Sequence, residues 1–270
     1  MAEPSVQQLY GELWADDTPV DLELERSLEP RGTDWLFELF ASLGPKPGEL
    51  VVDVGARDAR HTIRLVREHG LRAIALDPVP LHAERARAAV ADAGLTDAVE
   101  IVEAGMEDMP IADGAADWIW CRDVLVHVDL TPGFAECARI LRPGGRMVAY
   151  VTLATELLEP PEAARLFASV AIVPESADPT NVESRAAAAG LELVSSTRLG
   201  GEWRERMIED GSWDPGDDLL RLSRLRRREA ELVERHGEAD VAARAADKLW
   251  GVYQLIGKLC PTVFVWELGA

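Results

Sequence analysis

Two carboxylates follow short apolar runs in positions where they could bind a ligand. Asp53 precedes Val54 and Gly55, and Asp77 stands twenty-four positions later, before Pro78. A carboxylate at the end of a second parallel strand can accept hydrogen bonds from both hydroxyls of a ribose. The alternative for Asp77 is a solvated turn residue. The pair indicates a site for a nucleoside cofactor.

An acidic turn at 105–110 follows a third apolar run. Met106 could lie against an adenine ring while its backbone N–H meets a ring nitrogen. Glu107 or Asp108 could accept from the exocyclic amine. An ordinary surface turn is the alternative. The turn extends the predicted site toward the base.

A basic, an acidic and an imidazole side chain follow a fourth apolar run. Arg122 and Asp123 come directly after it, and His127 stands one helical turn later. An imidazole titrates near neutral pH and could remove a proton from an O–H or N–H group. The alternative for His127 is packing against the sheet. His61 is a second candidate base, for which an exposed helix surface is favoured.

The elements that must position these residues alternate along the chain. Short β-branched runs without polar alternation predict strands that are buried on both faces. Helical spacing between them predicts right-handed crossovers and an open parallel sheet. The predicted strands are 49–54, 71–76, 99–102, 118–121, 146–152, 191–197 and 262–268. Gly70 is predicted to end the first crossover helix in the left-handed conformation, and 217–258 is predicted as one long helical stretch.

The loop after the first strand departs from the dinucleotide fingerprint. That fingerprint requires glycine at 55, 57 and 60, but Arg57 and Arg60 occupy two of these positions. A pyrophosphate approaching the backbone would meet these side chains. The NAD-dependent and FAD-dependent oxidoreductases are therefore disfavoured.

The order of these segments resembles the class I S-adenosylmethionine-dependent methyltransferases. The segments are Asp53-Val54-Gly55, Asp77-Pro78, 105–110, Cys121-Arg122-Asp123 and Leu141-Arg142-Pro143-Gly144-Gly145. All five are expected as loops at the edge of the sheet that forms the cofactor cleft. The resemblance is specific over about 45–155. It implies an α/β fold with a seven-stranded, mostly parallel Rossmann-like sheet, an antiparallel last strand, N-terminal helices and a helical lid before that strand. It implies S-adenosyl-L-methionine as the cofactor.

Four segments are expected on this basis. Residues 1–45 form an N-terminal helical cap and 46–198 the cofactor-binding α/β core. Residues 199–260 form a helical lid over the substrate, and 261–270 form the final core strand.

The resemblance also implies residue roles. Expected cofactor contacts are Asp53, Gly55, Ala56, Arg57, Asp77, Pro78, Met106, Glu107 and Arg122. The family commonly has Gly-x-Gly-x-Gly where this chain has Arg57 and Ala59. Arg57 either reaches the methionine carboxylate of the cofactor or blocks the site. The first is favoured, because Asp77 would otherwise have no ligand to hold.

Aromatic side chains outside the sheet motifs suit a pocket for a small molecule. The expected substrate contacts are Tyr10, Trp14, Asp123, Trp203 and Tyr253, and the expected catalytic residue is His127. The alternative for each aromatic residue is that it holds a helix to the core. No metal site is expected.

The charge of the chain limits its partners. A formal net charge of −20 disfavours nucleic acid and anionic membrane surfaces. Three scattered cysteines, no signal peptide and no membrane-length apolar run favour a cytoplasmic protein, with a homodimer as an option.

The expected function is methyl transfer to an oxygen, nitrogen or carbon atom of a small molecule, in specialised metabolism. Two alternatives stay open: a cyclase or isomerase that keeps the fold, and a non-catalytic binding protein.

Overall fold

The computed structural model describes residues 5–8, 10–11 and 18–269, which belong to two compact units divided after Pro30. In the described part of the first unit, α1 (Val6–Gln8) and α2 (Pro19–Leu24) are short α-helices. A capping box begins α2, because the side chains of Thr18 and Asp21 each accept the other's backbone N–H. Both helices lie in the segment predicted to be helical.

Seven strands form the central sheet of the second unit, in the order β3-β2-β1-β4-β5-β7-β6. They are β1 (Leu50–Val54), β2 (Arg72–Leu76), β3 (Val99–Val102), β4 (Ala116–Arg122), β5 (Leu141–Ala154), β6 (Leu191–Arg198) and β7 (Leu259–Leu268). β7 runs antiparallel to β5 and β6, and the other paired strands are parallel. The predicted mostly parallel sheet with an antiparallel last strand is confirmed.

Helices cover both faces of this sheet. They are α3 (Thr33–Ser42), α4 (Arg60–His69), α5 (Pro80–Asp92), α6 (Leu130–Ile140), α7 (Pro160–Ser169) and α8 (Pro179–Ala188). Successive side chains of a strand point to opposite faces. Val51 therefore packs in a cluster with α3, α4 and α5, and Val52 packs in a second cluster with α6, α7 and α8. As predicted, Gly70 ends α4 in the left-handed conformation, with φ +67°.

Four further helices separate β6 from β7. They are α9 (Glu202–Glu209), α10 (Pro215–Arg227), α11 (Glu229–His236) and α12 (Glu238–Leu255). The predicted helical stretch over 217–258 consists of three helices, because the chain leaves helical geometry at Arg228 and again at Gly237, where φ is +88°. Within the described ranges, none of the helices is both long and apolar enough to cross a bilayer.

The segment Leu141–Gly145 lies at the opposite edge of the sheet from the predicted site. It forms the amino-terminal end of β5, whereas ligands of such sheets bind beyond the carboxyl ends of the strands. Arg142 donates to Asp117 near the start of β4, over 2.5 Å. A Cβ atom on Gly145 would lie 2.8 Å from the backbone oxygen of Arg142, so close packing requires glycine there. Its expected place at the cofactor edge was wrong.

Candidate functional site

The carboxyl ends of β1, β2 and β4 open on a cleft of about 780 Å³. This volume is within the usual range for small-molecule and cofactor sites. The predicted site residues that line the cleft are Asp53, Gly55, Ala56, Arg57, Asp77, Pro78, Met106, Glu107, Arg122, Asp123 and His127. The topology thus brings together residues from four separate loops.

Asp77 is held rigidly at the end of β2. Its Oδ2 atom accepts the backbone N–H of Arg57 over 2.9 Å, and its Oδ1 atom accepts that of Val79 over 2.9 Å. The Nδ1 atom of His82 lies 3.0 Å from Oδ1. Only 7% of Asp77 is exposed, so its carboxylate has a fixed direction. His82 was not among the predicted site residues, although its place in the first helical turn after a strand-end carboxylate was a usable signal.

The loop after β1 adopts left-handed geometry at three alternate positions. The φ angles are +76° at Gly55, +53° at Arg57 and +55° at Ala59. The backbone N–H groups of Gly55 and Ala56 both donate to the oxygen of Leu76, which fixes the loop to β2. Left-handed geometry costs a residue with a Cβ atom about 1–2 kcal/mol. The departure from the family's glycine pattern therefore changes side chains but preserves the path of the backbone.

Asp53 lines the cleft but is mainly engaged inside the protein. It is 3% exposed, and its Oδ2 atom accepts the hydroxyl of Thr62 over 2.5 Å. Burial raises the pKa of Asp53 to about 7, against the hydrogen bond from Thr62, which lowers it. Asp53 thereby links β1 to α4.

His61 forms part of the cleft wall, so the expected exposed helix surface was wrong. Its ring meets the ring of Phe37 edge-on, with centroids 5.2 Å apart, and its Nε2 atom lies 3.3 Å from Nη1 of Arg122. Burial, reinforced by Arg122, lowers the pKa of His61 to about 4. Since a guanidinium only donates, Nε2 accepts and the imidazole proton is on Nδ1.

Asp53 and His61 should change the stability of the protein in opposite directions as the pH rises. The pKa of Asp53 rises from 3.8 to about 7 on folding, so its contribution to the unfolding free energy falls as pH rises through that window. The pKa of His61 falls from 6.5 to about 4, so its contribution rises over pH 4 to 6.5. Each slope reaches at most about 1.4 kcal/mol per pH unit.

Urea unfolding at pH 4.5, 5.5 and 6.5 measures these slopes. We expect little net slope from this pair in the wild type, a more positive slope in Asp53→Asn and a more negative one in His61→Gln. Parallel curves for the two variants would contradict the assignment.

Arg122, at the end of β4, has its guanidinium close to two aromatic rings. Its guanidinium carbon lies 5.5 Å from the ring centroid of Tyr150 and 5.6 Å from that of Trp203. Its Nε atom is 3.9 Å from Oδ2 of Asp123, too far for a hydrogen bond. The cleft therefore presents a fixed cation and a carboxylate side by side.

His127 closes a short 3₁₀ turn, Leu125–His127. It is exposed and lines the cleft. Its Nδ1 atom lies 3.0 Å from the backbone oxygen of Ala171, which can only accept. Nδ1 of the neutral ring is therefore protonated, and Nε2 has a free lone pair.

The turn at 105–110 contributes differently from expectation. Met106 is 1% exposed and packs beside Gly133, whose added Cβ would lie 3.4 Å from the Met106 sulfur. Its side chain is therefore largely part of the core, and its contact with an adenine ring stays a prediction. Glu107 stays exposed and accepts the backbone N–H of Asp129 over 3.2 Å.

Two of the predicted substrate contacts are away from the cleft lining. Trp203 is 4% exposed and packs on Tyr150, with ring centroids 4.6 Å apart. The hydroxyl of Tyr253 donates to Glu162 over 3.3 Å. Tyr10 is an exposed residue of the first unit, and Trp14 lies outside the described residues. Direct substrate contact by these aromatic residues stays a prediction.

Comparison with known proteins finds a family similarity in the first part of the sheet region. Residues 52–149 match the family described as methyltransferase domain, whose members use S-adenosylmethionine. Dimethylglycine N-methyltransferase of Parasynechococcus marenigrum is 30% identical over 159 residues, which are 56% of each chain. The chain thus spans about half the length of this relative. The predicted resemblance to class I methyltransferases is confirmed.

Solved structures share the fold over most of the chain. Geranyl diphosphate C-methyltransferase from Streptomyces coelicolor has a TM-score of 0.68 at 16% identity, covering 87% of this chain and 75% of that one. It was crystallised with Mg²⁺, geranyl-S-thiolodiphosphate and S-adenosyl-L-homocysteine. The [4+2]-cyclase SpnF has a TM-score of 0.65 at 16% identity, covering 88% and 81%. At these identities the likeness concerns the fold alone.

Proposed function

We propose that the chain, whose residues 52–149 match a methyltransferase domain, transfers a methyl group from S-adenosylmethionine to a nitrogen, oxygen or carbon atom of a small molecule, in specialised metabolism. The observation that carries the proposal is the fixed carboxylate of Asp77 at the rim of a cleft suited to a cofactor. The relative named for N-methylation of dimethylglycine supports a small acceptor.

The residues at this rim fit the adenosine part of the cofactor. Oδ2 of Asp77 has one donor, the N–H of Arg57, and retains a free lone pair with which it would accept a ribose hydroxyl. The left-handed loop from Gly55 to Ala59 keeps the backbone close to β2 and leaves the cleft open. Arg57 is exposed at this loop, where its guanidinium would pair with the methionine carboxylate. When bound, the cofactor supplies an electrophilic methyl group on sulfur.

The other end of the cleft suits a polar acceptor. Arg122 would orient it, and Asp123 would accept a hydrogen bond from it. The free Nε2 atom of His127 would take the proton that an O–H or N–H acceptor loses on methylation. Such base catalysis increases the rate by about 10² to 10⁴-fold. Orientation of the acceptor toward the methyl group supplies the remaining acceleration that comes from the protein.

Thermal unfolding with added ligands tests the proposal. S-adenosylmethionine at a hundred times its dissociation constant should stabilise the protein by about 2.7 kcal/mol, and NAD should give no shift. His127→Ala should keep the shift while losing most of the turnover with a competent acceptor. A thermal shift with NAD alone would overturn the cofactor assignment. Full turnover by His127→Ala would show that His127 is not the base.

The fold shared with the [4+2]-cyclase SpnF supports a second candidate, a cyclase that needs the cofactor site only as a scaffold. Release of S-adenosylhomocysteine distinguishes the two. A methyltransferase releases one equivalent for each product formed, whereas such a cyclase forms product without releasing any.

A further inference from the structure

A chain of hydrogen bonds links the helices between β6 and β7 to the cleft. The Nε–H of Arg204 on α9 donates to Oε1 of Gln254 on α12 over 2.6 Å. The amide nitrogen of Gln254 donates to the hydroxyl of Thr152 on β5 over 3.0 Å. That hydroxyl lies 3.4 Å from Oδ1 of Asp123, the acceptor at the end of the chain. We refer to Arg204, Gln254 and Thr152 as the relay.

The relay is buried and has a single direction. Gln254 and Thr152 are each 1% exposed, so their polar atoms depend on one another. A guanidinium only donates and an ionised carboxylate only accepts. The amide and the hydroxyl between them must therefore both donate toward Asp123. Hydrogen bonds aligned in this way polarise one another and strengthen the chain.

The two ends of the relay, Arg204 and Asp123, have different surroundings. Within the described part of the chain, no carboxylate lies within the 4.0 Å ion-pair distance of Arg204. Its guanidinium instead stands over the ring of Trp213, 5.0 Å from the centroid. Asp123 has left-handed backbone geometry, with φ +57°, and 44% of its side chain is exposed. The carboxylate is thus held from behind and open toward the cleft.

We propose that this relay positions Asp123, favouring the ionised form of its carboxylate and directing it at an N–H or O–H group of the acceptor. The inference deepens the proposed function and rests on it for the identity of the acceptor end. It makes Arg204 and Gln254 positioning residues, since neither lines the cleft. It also restricts the substrate to molecules that offer a hydrogen-bond donor beside the methylated atom.

The test is the titration of Asp123 in the full-length protein without ligands. Carbon-13 NMR of labelled aspartate carboxyl groups follows it, and Asp123→Asn assigns its signal. Thr152→Val keeps the side-chain shape but removes the hydroxyl, and Thr152→Ser restores it as the matched control. We expect Thr152→Val to raise the midpoint by about 0.5 to 1 pH unit and Thr152→Ser to leave it near the wild-type value.

Other charges near Asp123 must be separated from the relay. The titratable groups that face Asp123 are Arg122, Arg204, His127, Tyr150 and Cys121. Thr152→Val replaces none of them, although it also removes the hydrogen bond between Thr152 and Tyr150. Arg204→Met should also raise the midpoint, and much less so when Thr152 is already valine. If the shifts in midpoint of Arg204→Met and Thr152→Val are additive, Arg204 acts on Asp123 by direct charge attraction, and the relay is overturned.

If Arg204→Met does not fold, the comparison of Thr152→Val with Thr152→Ser decides. Equal midpoints in those two variants would overturn the proposal. Because the titration needs neither cofactor nor acceptor, its failure is distinguishable from the absence of a thermal shift with S-adenosylmethionine, which would contradict the proposed function instead.

Discussion

Asp77→Ala should weaken the binding of S-adenosylmethionine by about 1–3 kcal/mol, which is roughly a 5- to 150-fold rise in dissociation constant. The carboxylate is the acceptor proposed for the ribose hydroxyls, and its direction is fixed by the backbone N–H groups of Arg57 and Val79. Hydrogen bonds to a charged acceptor are stronger than those between neutral groups. Isothermal titration calorimetry measures the change directly.

Asp58→Ala is the matched control, because Asp58 lines the same cleft but lies in the loop after β1 and pairs with Arg60. It should change the affinity by much less than Asp77→Ala. The Asp77 variant also leaves the N–H of Arg57 without its acceptor, so both titrations are run well below the melting temperature. Equal affinity in wild type and Asp77→Ala would show that another residue binds the ribose.

Gly55→Ala should destabilise the protein by about 2–4 kcal/mol. The φ angle of +76° disfavours any residue with a Cβ atom, and this atom would lie 2.2 Å from Cγ2 of Val124. Strain and overpacking therefore add at one site. Because Gly55 begins the loop that lines the cleft, any shift that relieves the clash should also reduce cofactor affinity.

Gly94→Ala separates the two contributions to that loss. Gly94 has a similar φ angle, +69°, but open space around the added atom, so this variant should lose only about 1 kcal/mol. Val124→Ala removes the clashing methyl group and should recover part of the loss in Gly55→Ala. Chemical denaturation provides all the values. A loss in Gly55→Ala no larger than in Gly94→Ala would contradict the role of Val124.

Residues at strand ends were the most predictable part of the site. Buried apolar runs locate strands, and parallel strands bring their carboxyl ends to one edge. Asp53, Asp77 and Arg122 could therefore be assigned to one cleft from the sequence. The same reasoning failed for Leu141–Gly145, because this segment precedes its strand and so lies at the other edge.

Contacts between distant segments could not be predicted in this way. His61 faces the cleft because Phe37 and Arg122 surround it, and neither is near it in sequence. The hydrogen bond between Gln254 and Thr152 joins positions 102 residues apart. Helical periodicity can place Gln254 on the buried face of its helix, but it cannot identify Thr152 as its hydrogen-bond partner. Met106 shows the same limit, since local turn chemistry did not reveal its burial beneath α6.

The position of β7 inside the sheet has a consequence for how the protein folds. β7 pairs with both β5 and β6, and the pairing of Arg146 with Glu267 spans 121 residues. During synthesis, the edges of β5 and β6 that pair with β7 therefore stay unpaired until α9 to α12, the four helices between β6 and β7, have emerged. Such delayed long-range pairing slows folding and leaves open edges available to other chains. The nascent chain is therefore most exposed to such pairing just before β7 emerges from the ribosome.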